Sequence, residues 1–82
     1  METKIALIGI IIEEEEGIDP TNQLLHEYRE YIVGRMGIPY KQRDISIISI
    51  VLDAPQTTIS TISGKLGMIP GTSVKSVIAK TK

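Results

Sequence analysis

Eighty-two residues carry 9 basic and 10 acidic side chains, a net charge of −1 and no cysteine. One small domain spanning 1–82 is expected from that length. The composition excludes disulfides, thiolate zinc sites, cysteine-ligated clusters and a cysteine nucleophile, and the charge gives no general attraction to nucleic acid.

The first element is a strand, Lys4–Ile12 (KIALIGIII), short, β-branched and apolar at nearly every position. Its apolar run, Ile5 to Ile12, is far shorter than the roughly 20 residues a membrane-spanning helix requires. Four glutamates, Glu13–Glu16, follow it where a signal peptide would place a small-residue cleavage site. A cytoplasmic protein with no membrane or direct nucleic-acid partner is the expectation.

After Gly17 the spacing predicts an amphipathic helix over about Pro20–Val33, with Asp19 as N-cap and Pro20 at the first helical position. Leu24, Leu25, Tyr28, Tyr31 and Ile32 form its apolar face, and Gly34 reads as its stop. An alternating strand, Arg35–Arg43, sends Met36, Ile38 and Tyr40 one way and Arg35, Lys41 and Arg43 the other. A tight turn at Arg43–Asp44 leads into the strand Ile45–Leu52. A second helix opens at Pro55, capped by Asp53 or Ala54, with Ile59, Ile62 and Leu66 as its buried stripe. Gly64 reads as a point of close approach to the sheet and Gly67 as the helix terminator. The last strand covers Ser73–Ala79, with Val74 inward and either Val77 or Ile78 beside it.

The order β-α-β-β-α-β predicts an α+β, ferredoxin-like fold. Its four-stranded antiparallel sheet would run 4-1-3-2, with both helices on one face. The two most apolar strands then become central, and Pro39 falls on an edge strand, where proline is tolerated.

Both central strands are apolar on both faces. Ala6, Ile8, Ile10 and Ile12 oppose Ile5, Leu7 and Ile11; Ile45, Ile47 and Val51 oppose Ile48, Ile50 and Leu52. Helices cover one face only, so the other calls for a partner surface. Self-association through the sheet, as a dimer or tetramer, is expected; the alternative is cover from the chain's own tails.

No catalytic constellation is present. His26 is the only histidine; with Glu27 and Glu30 it offers part of a metal site, or simply a solvated helix face. Glu13–Glu16 is a solvated loop or a divalent-cation site without EF-hand spacing. GxSxG, Walker A and GxGxxG motifs are absent, and Tyr40 is the only aromatic placed on a strand, against the several an RNA-stacking sheet displays. The sequence therefore predicts a non-enzyme with no metal and no cofactor.

The run YIVGRMGIPYKQRDISIISIVLDA (Tyr31–Ala54), followed by ISTISGKLGMIPGTSVKS (Ile59–Ser76), resembles the family of iron-only hydrogenase system regulators. IALIGIIIE and LLHEYREYIVGRMG extend the likeness to about residues 4–77. The resemblance implies a stand-alone ACT-like domain, similar to the ligand-sensing domain of the nickel-responsive repressor. It also implies a regulatory role in hydrogenase expression or maturation, exerted on a partner regulator or maturation protein, since the ACT-like unit accounts for the chain without a DNA-binding domain. A ligand-free adaptor of the maturation machinery is the alternative. The ligand-binding candidates are Gly17, Asp19, Arg35 and Gly37; the oligomer-contact candidates are Met36, Ile38 and Tyr40.

Overall fold

A computed structural model describes residues 2–80. Its elements are β1 (Lys4–Ile12), α1 (Ile18–Glu27), β2 (Ile32–Tyr40), β3 (Ile45–Ala54), α2 (Gln56–Gly67) and β4 (Thr72–Ile78). Short 3-10 turns at Glu15–Gly17 and Arg29–Tyr31 flank α1. The sheet order is β2-β3-β1-β4, which is the expected 4-1-3-2. All three pairings are antiparallel.

Ala6, Ile8, Ile10 and Ile12 of β1 stand opposite Leu52, Ile50, Ile48 and Ser46 of β3, and the apolar members of this set are buried. Leu25 of α1 and Ile59, Ile62 and Leu66 of α2 close over them. Each such isoleucine or leucine contributes roughly 1.5–3 kcal/mol on burial. Of β4, Val74 and Ile78 face this core, while Val77 is exposed. The ends of β4 are tied by backbone bonds from Glu13 N–H to Gly71 C=O (2.7 Å) and from Ala79 N–H to Ile5 C=O (2.9 Å).

Several local expectations are corrected. Helix α1 ends at Glu27, six residues before the predicted Val33. Tyr28 and Tyr31 still reach the core, because a 3-10 turn aligns residues three apart. The helical pattern thus continues through a break in the helix. Ile32 is already in β2, opposite Leu52, and Gly34 is a strand residue with open space around its Cα. Helix α1 begins at Ile18 with Gly17 as N-cap, so Asp19 lies in its first turn. Arg29 supports the C-terminal end by donating to the His26 carbonyl at 2.9 Å.

The β2–β3 connection is a four-residue loop, Lys41–Asp44, in place of the predicted tight turn. Pairing ends at Tyr40 and Ile45. Asp44 adopts φ 57°, a left-handed conformation that aspartate tolerates. Lys41 and Arg43 therefore lie in the loop and do not share a strand face with Arg35. Pro55 is the N-cap of α2 in place of Asp53 or Ala54, and Gly67 is its last helical residue. Gly64 is exposed with no atom within 4 Å of a Cβ built on it, so it makes no close approach to the sheet.

Gly71 does need to be glycine. Its φ is +78°, and a Cβ there would lie 2.7 Å from the Glu14 Cβ. Gly71→Ala should cost about 2 kcal/mol or more, read as a lower urea midpoint. Thr21 of α1 presents the opposite case: it is fully buried, and its Oγ1 has no hydrogen-bond partner among the described residues. Replacing that hydroxyl by a methyl in Thr21→Val should stabilise the fold by about 1 kcal/mol and raise Tm by several degrees.

Candidate functional site

Strand β2 shapes both exposed features of the molecule. Its register with β3 shifts between Ile32 and Gly34, leaving Val33 as an extra residue, a β-bulge. An uninterrupted strand would put Gly34 on the same side as Ile32. With the bulge, Gly34 falls on the open face, opposite Val51, and Arg35 moves to the helix side, opposite Ile50. Gly37 and Pro39 follow Arg35 on the helix side, opposite Ile48 and Ser46. Met36, Ile38 and Tyr40 go to the open face, opposite Ser49, Ile47 and Ile45.

On the helix side, α1 does not cover the end of the β2–β3 hairpin, and every β2 residue from Arg35 to Tyr40 is exposed. A groove of about 260 Å³ runs there between α1 and β2. Ile12, Ile18 and Ile48 supply apolar walls, and Arg35, Asn22 and Ser46 supply polar groups. The Arg35 guanidinium donates to Asn22 Oδ1, its one hydrogen-bond partner among the described residues. Gly37 has no atom within 4 Å of a Cβ position, so the space over the strand is open. A neighbouring cleft of about 270 Å³ shares Ile12, Ile18, Pro39 and Ser46, and adds Glu14, Glu15, Lys41 and Asp44.

The open face carries the other feature. Ile5, Leu7 and Ile11 of β1, Met36, Ile38 and Tyr40 of β2, and Val77 of β4 are exposed, up to 65% for Val77. Half-buried Ile45, Ile47 and Val51 lie among them. At the centre, Gly9 pairs with Ser49. This small pair is flanked along the strands by Leu7 and Val51 on one side and Ile11 and Ile47 on the other, with Met36 and Lys75 at either end of its row. The face is therefore largely apolar with a central dimple, and Asp53, Ser73 and Lys75 supply its polar groups toward the end of β3 and along β4.

The sequence-derived candidates divide among these places. Arg35 and Gly37 line the groove; Met36, Ile38 and Tyr40 lie on the open face. Asp19 is exposed on the first turn of α1 and lines neither cleft. Gly17 is buried, and a Cβ on it would meet Ile12 Cγ2 at 3.1 Å, the Pro70 carbonyl at 3.2 Å and Thr72 Cγ2 at 3.2 Å. The Thr72 hydroxyl in turn lies 3.0 and 2.7 Å from the Leu66 and Ile69 carbonyls and shares its one proton between them, holding the end of α2. Gly17 thus serves a packing junction. The sequence reading named Arg35 and Gly37 but missed Asn22 and Ser46; the pairing of Arg35 with Asn22 on α1 depends on the bulge.

A third cleft, between α1 and α2, is lined by Tyr28, Tyr31, Thr57, Thr58 and Thr61. The Tyr28 hydroxyl accepts from Lys65 Nζ at 3.1 Å and raises that lysine above its ordinary value. Among the described residues no three His, Cys, Asp or Glu side chains converge to hold a metal ion, and no helix is long and apolar enough to cross a membrane.

The sequence profile of the TM1266-like family, described as "Iron-only hydrogenase system regulator, putative", matches residues 4–76. The structure of protein TM1266 from Thermotoga maritima is 36% identical, with a TM-score of 0.92, over 96% of this chain and 100% of that one. The C-terminal domain of the MgtC protein from Mycobacterium tuberculosis is 10% identical at a TM-score of 0.74, over 96% of this chain and 90% of that one. A formyltetrahydrofolate deformylase from Pseudomonas putida KT2440 is 13% identical at a TM-score of 0.63, over 89% of this chain and 28% of that one. The last two likenesses are of fold alone. No curated protein matches the chain.

The packing role of Gly17 separates it from a ligand contact. Gly17→Ala should destabilise the fold by about 1–3 kcal/mol through overpacking, whereas Asp19→Ala should change stability by about 0.5 kcal/mol or less. Urea denaturation of the two variants provides the comparison.

Proposed function

The chain belongs to the TM1266-like family, described as that of an iron-only hydrogenase system regulator, and from that premise we propose that it is a regulatory module that acts as a homo-oligomer. In this reading it is an ACT-like domain whose sheets pack face to face. It responds to a small ligand or docks on a partner regulator or maturation protein, and it does no chemistry of its own.

The observation that carries this reading is the uncovered apolar face. Leu7, Met36 and Val77 are 48, 61 and 65% exposed, and they share one face of the sheet with Ile5, Ile11, Ile38 and Tyr40. Monomers rarely leave more than a few hundred Å² of contiguous apolar surface in water. In a domain this small, the core and the open face draw on the same two strands. A contact through that face would therefore set both the assembly state and much of the stability.

Sedimentation at micromolar concentration should show a dimer or larger. Leu7→Glu combined with Ile47→Glu should raise the dissociation constant by about two orders of magnitude or more, by placing charge where apolar area was buried. In a host with an iron-only hydrogenase, that double variant should reproduce the effect of deleting the gene on hydrogenase activity. A wild-type protein that sediments as a 9.0 kDa monomer at every concentration would sink the reading.

A further inference from the structure

We propose that the groove between α1 and β2 binds a small organic monocarboxylate with a short branched apolar body, held by the Arg35 guanidinium. The inference deepens the sensing branch of the proposed function by naming a ligand class. Its test needs neither self-association nor a hydrogenase, so the two can fail separately.

Three observations converge on the groove. The first is the cation. Arg35 is turned to the helix side by the bulge at Val33 and donates to the neutral Asn22 amide oxygen. A guanidinium has five donors in a planar fork. One bond to an amide oxygen leaves the charge unneutralised and donors free for a carboxylate, which the fork matches in a bidentate fashion. The second is the space. Gly37, the next helix-side residue of β2, leaves the strand surface bare beside Arg35, and Ser46, opposite Pro39, also lines the groove. The third is the floor. Ile18, half-buried, is the apolar side chain the groove presents beside the charged group, with the buried Ile12 and Ile48 closing the space beneath it. An apolar cleft with a few placed polar groups is the usual form of a small-molecule site. At about 260 Å³, it is below the ~300 Å³ lower end of drug-sized pockets, so the occupant is small.

Charge selects a monoanion over phosphate. Glu14, Glu15 and Asp44 line the adjoining cleft with only Lys41 against them. A dianion would meet that negative field with one guanidinium to offset it. A carboxylate matches the single cation and places its alkyl end on Ile18.

The test is an isotope-labelled full chain titrated with isovalerate, acetate and inorganic phosphate by two-dimensional amide NMR. Isovalerate should give saturable shifts centred on Asn22, Arg35, Gly37 and Ser46. Acetate should bind about tenfold more weakly, lacking the branched end, and phosphate more weakly still. Arg35→Gln should weaken isovalerate binding about ten- to hundredfold. Gly37→Val fills the groove with a strand-compatible side chain and should abolish binding while the spectrum stays dispersed. No saturable shift with millimolar isovalerate, shifts mapping away from the groove, an unchanged affinity in Arg35→Gln, or tighter binding of phosphate would each overturn the proposal. The wild-type map decides even if a variant fails to fold.

Discussion

One extra residue in an edge strand governs how the surface of this domain is divided. Side chains in a strand alternate between faces, so a single inserted position reverses every residue that follows it. Val33 is that position. Upstream, Ile32 points into the core. Downstream, the parity is inverted, so Arg35 goes to the helix side of the sheet and Met36, Ile38 and Tyr40 go to the uncovered side. With regular pairing the positive charge would sit in the middle of the apolar face, and the methionine, isoleucine and tyrosine would crowd the groove beside α1. The clean separation of an apolar face from a polar-lined groove rests on that one irregularity.

Beneath it lies a simpler asymmetry. Strands β1 and β3 are apolar on both faces, and two helices of 10 and 12 residues can cover only one. Ala6, Ile8, Ile10 and Ile12 take the covered side, together with Ile48, Ile50 and Leu52. The same strands that build the core therefore expose a second apolar layer.

Topology and core were legible in the sequence because they follow from period and composition. Two doubly apolar strands had to be central, a proline-bearing strand had to be an edge, and Ile59, Ile62 and Leu66 could only be one helix face. Boundaries were less legible where two periodicities overlap. Tyr28, Tyr31 and Ile32 fit a continuous helix in sequence, yet they are a helix end, a 3-10 turn and a strand start. Glycines misled for a related reason: Gly34, Gly64 and Gly67 look like terminators or contacts but occupy ordinary backbone, while Gly71, at a loop the sequence marks only as Ile-Pro-Gly, holds the positive φ. Half of the groove was visible, since Arg35 and Gly37 lie two apart in one strand. Asn22 and Ser46 were not, because their approach depends on the bulge and on where α1 stops.

The dimple at the centre of the open face has a consequence of its own. Gly9 and Ser49 contribute almost no apolar area, yet Leu7, Val51, Ile11, Ile47 and Met36 border them, with Lys75 closing the β4 side. A uniformly greasy sheet would accept any flat hydrophobic surface at any offset. A recess one residue pair wide accepts a protruding side chain at a single setting and meets ridge against ridge at all others. In any pairing of this face with another surface, the Gly9–Ser49 recess would therefore fix the setting and discourage indiscriminate company.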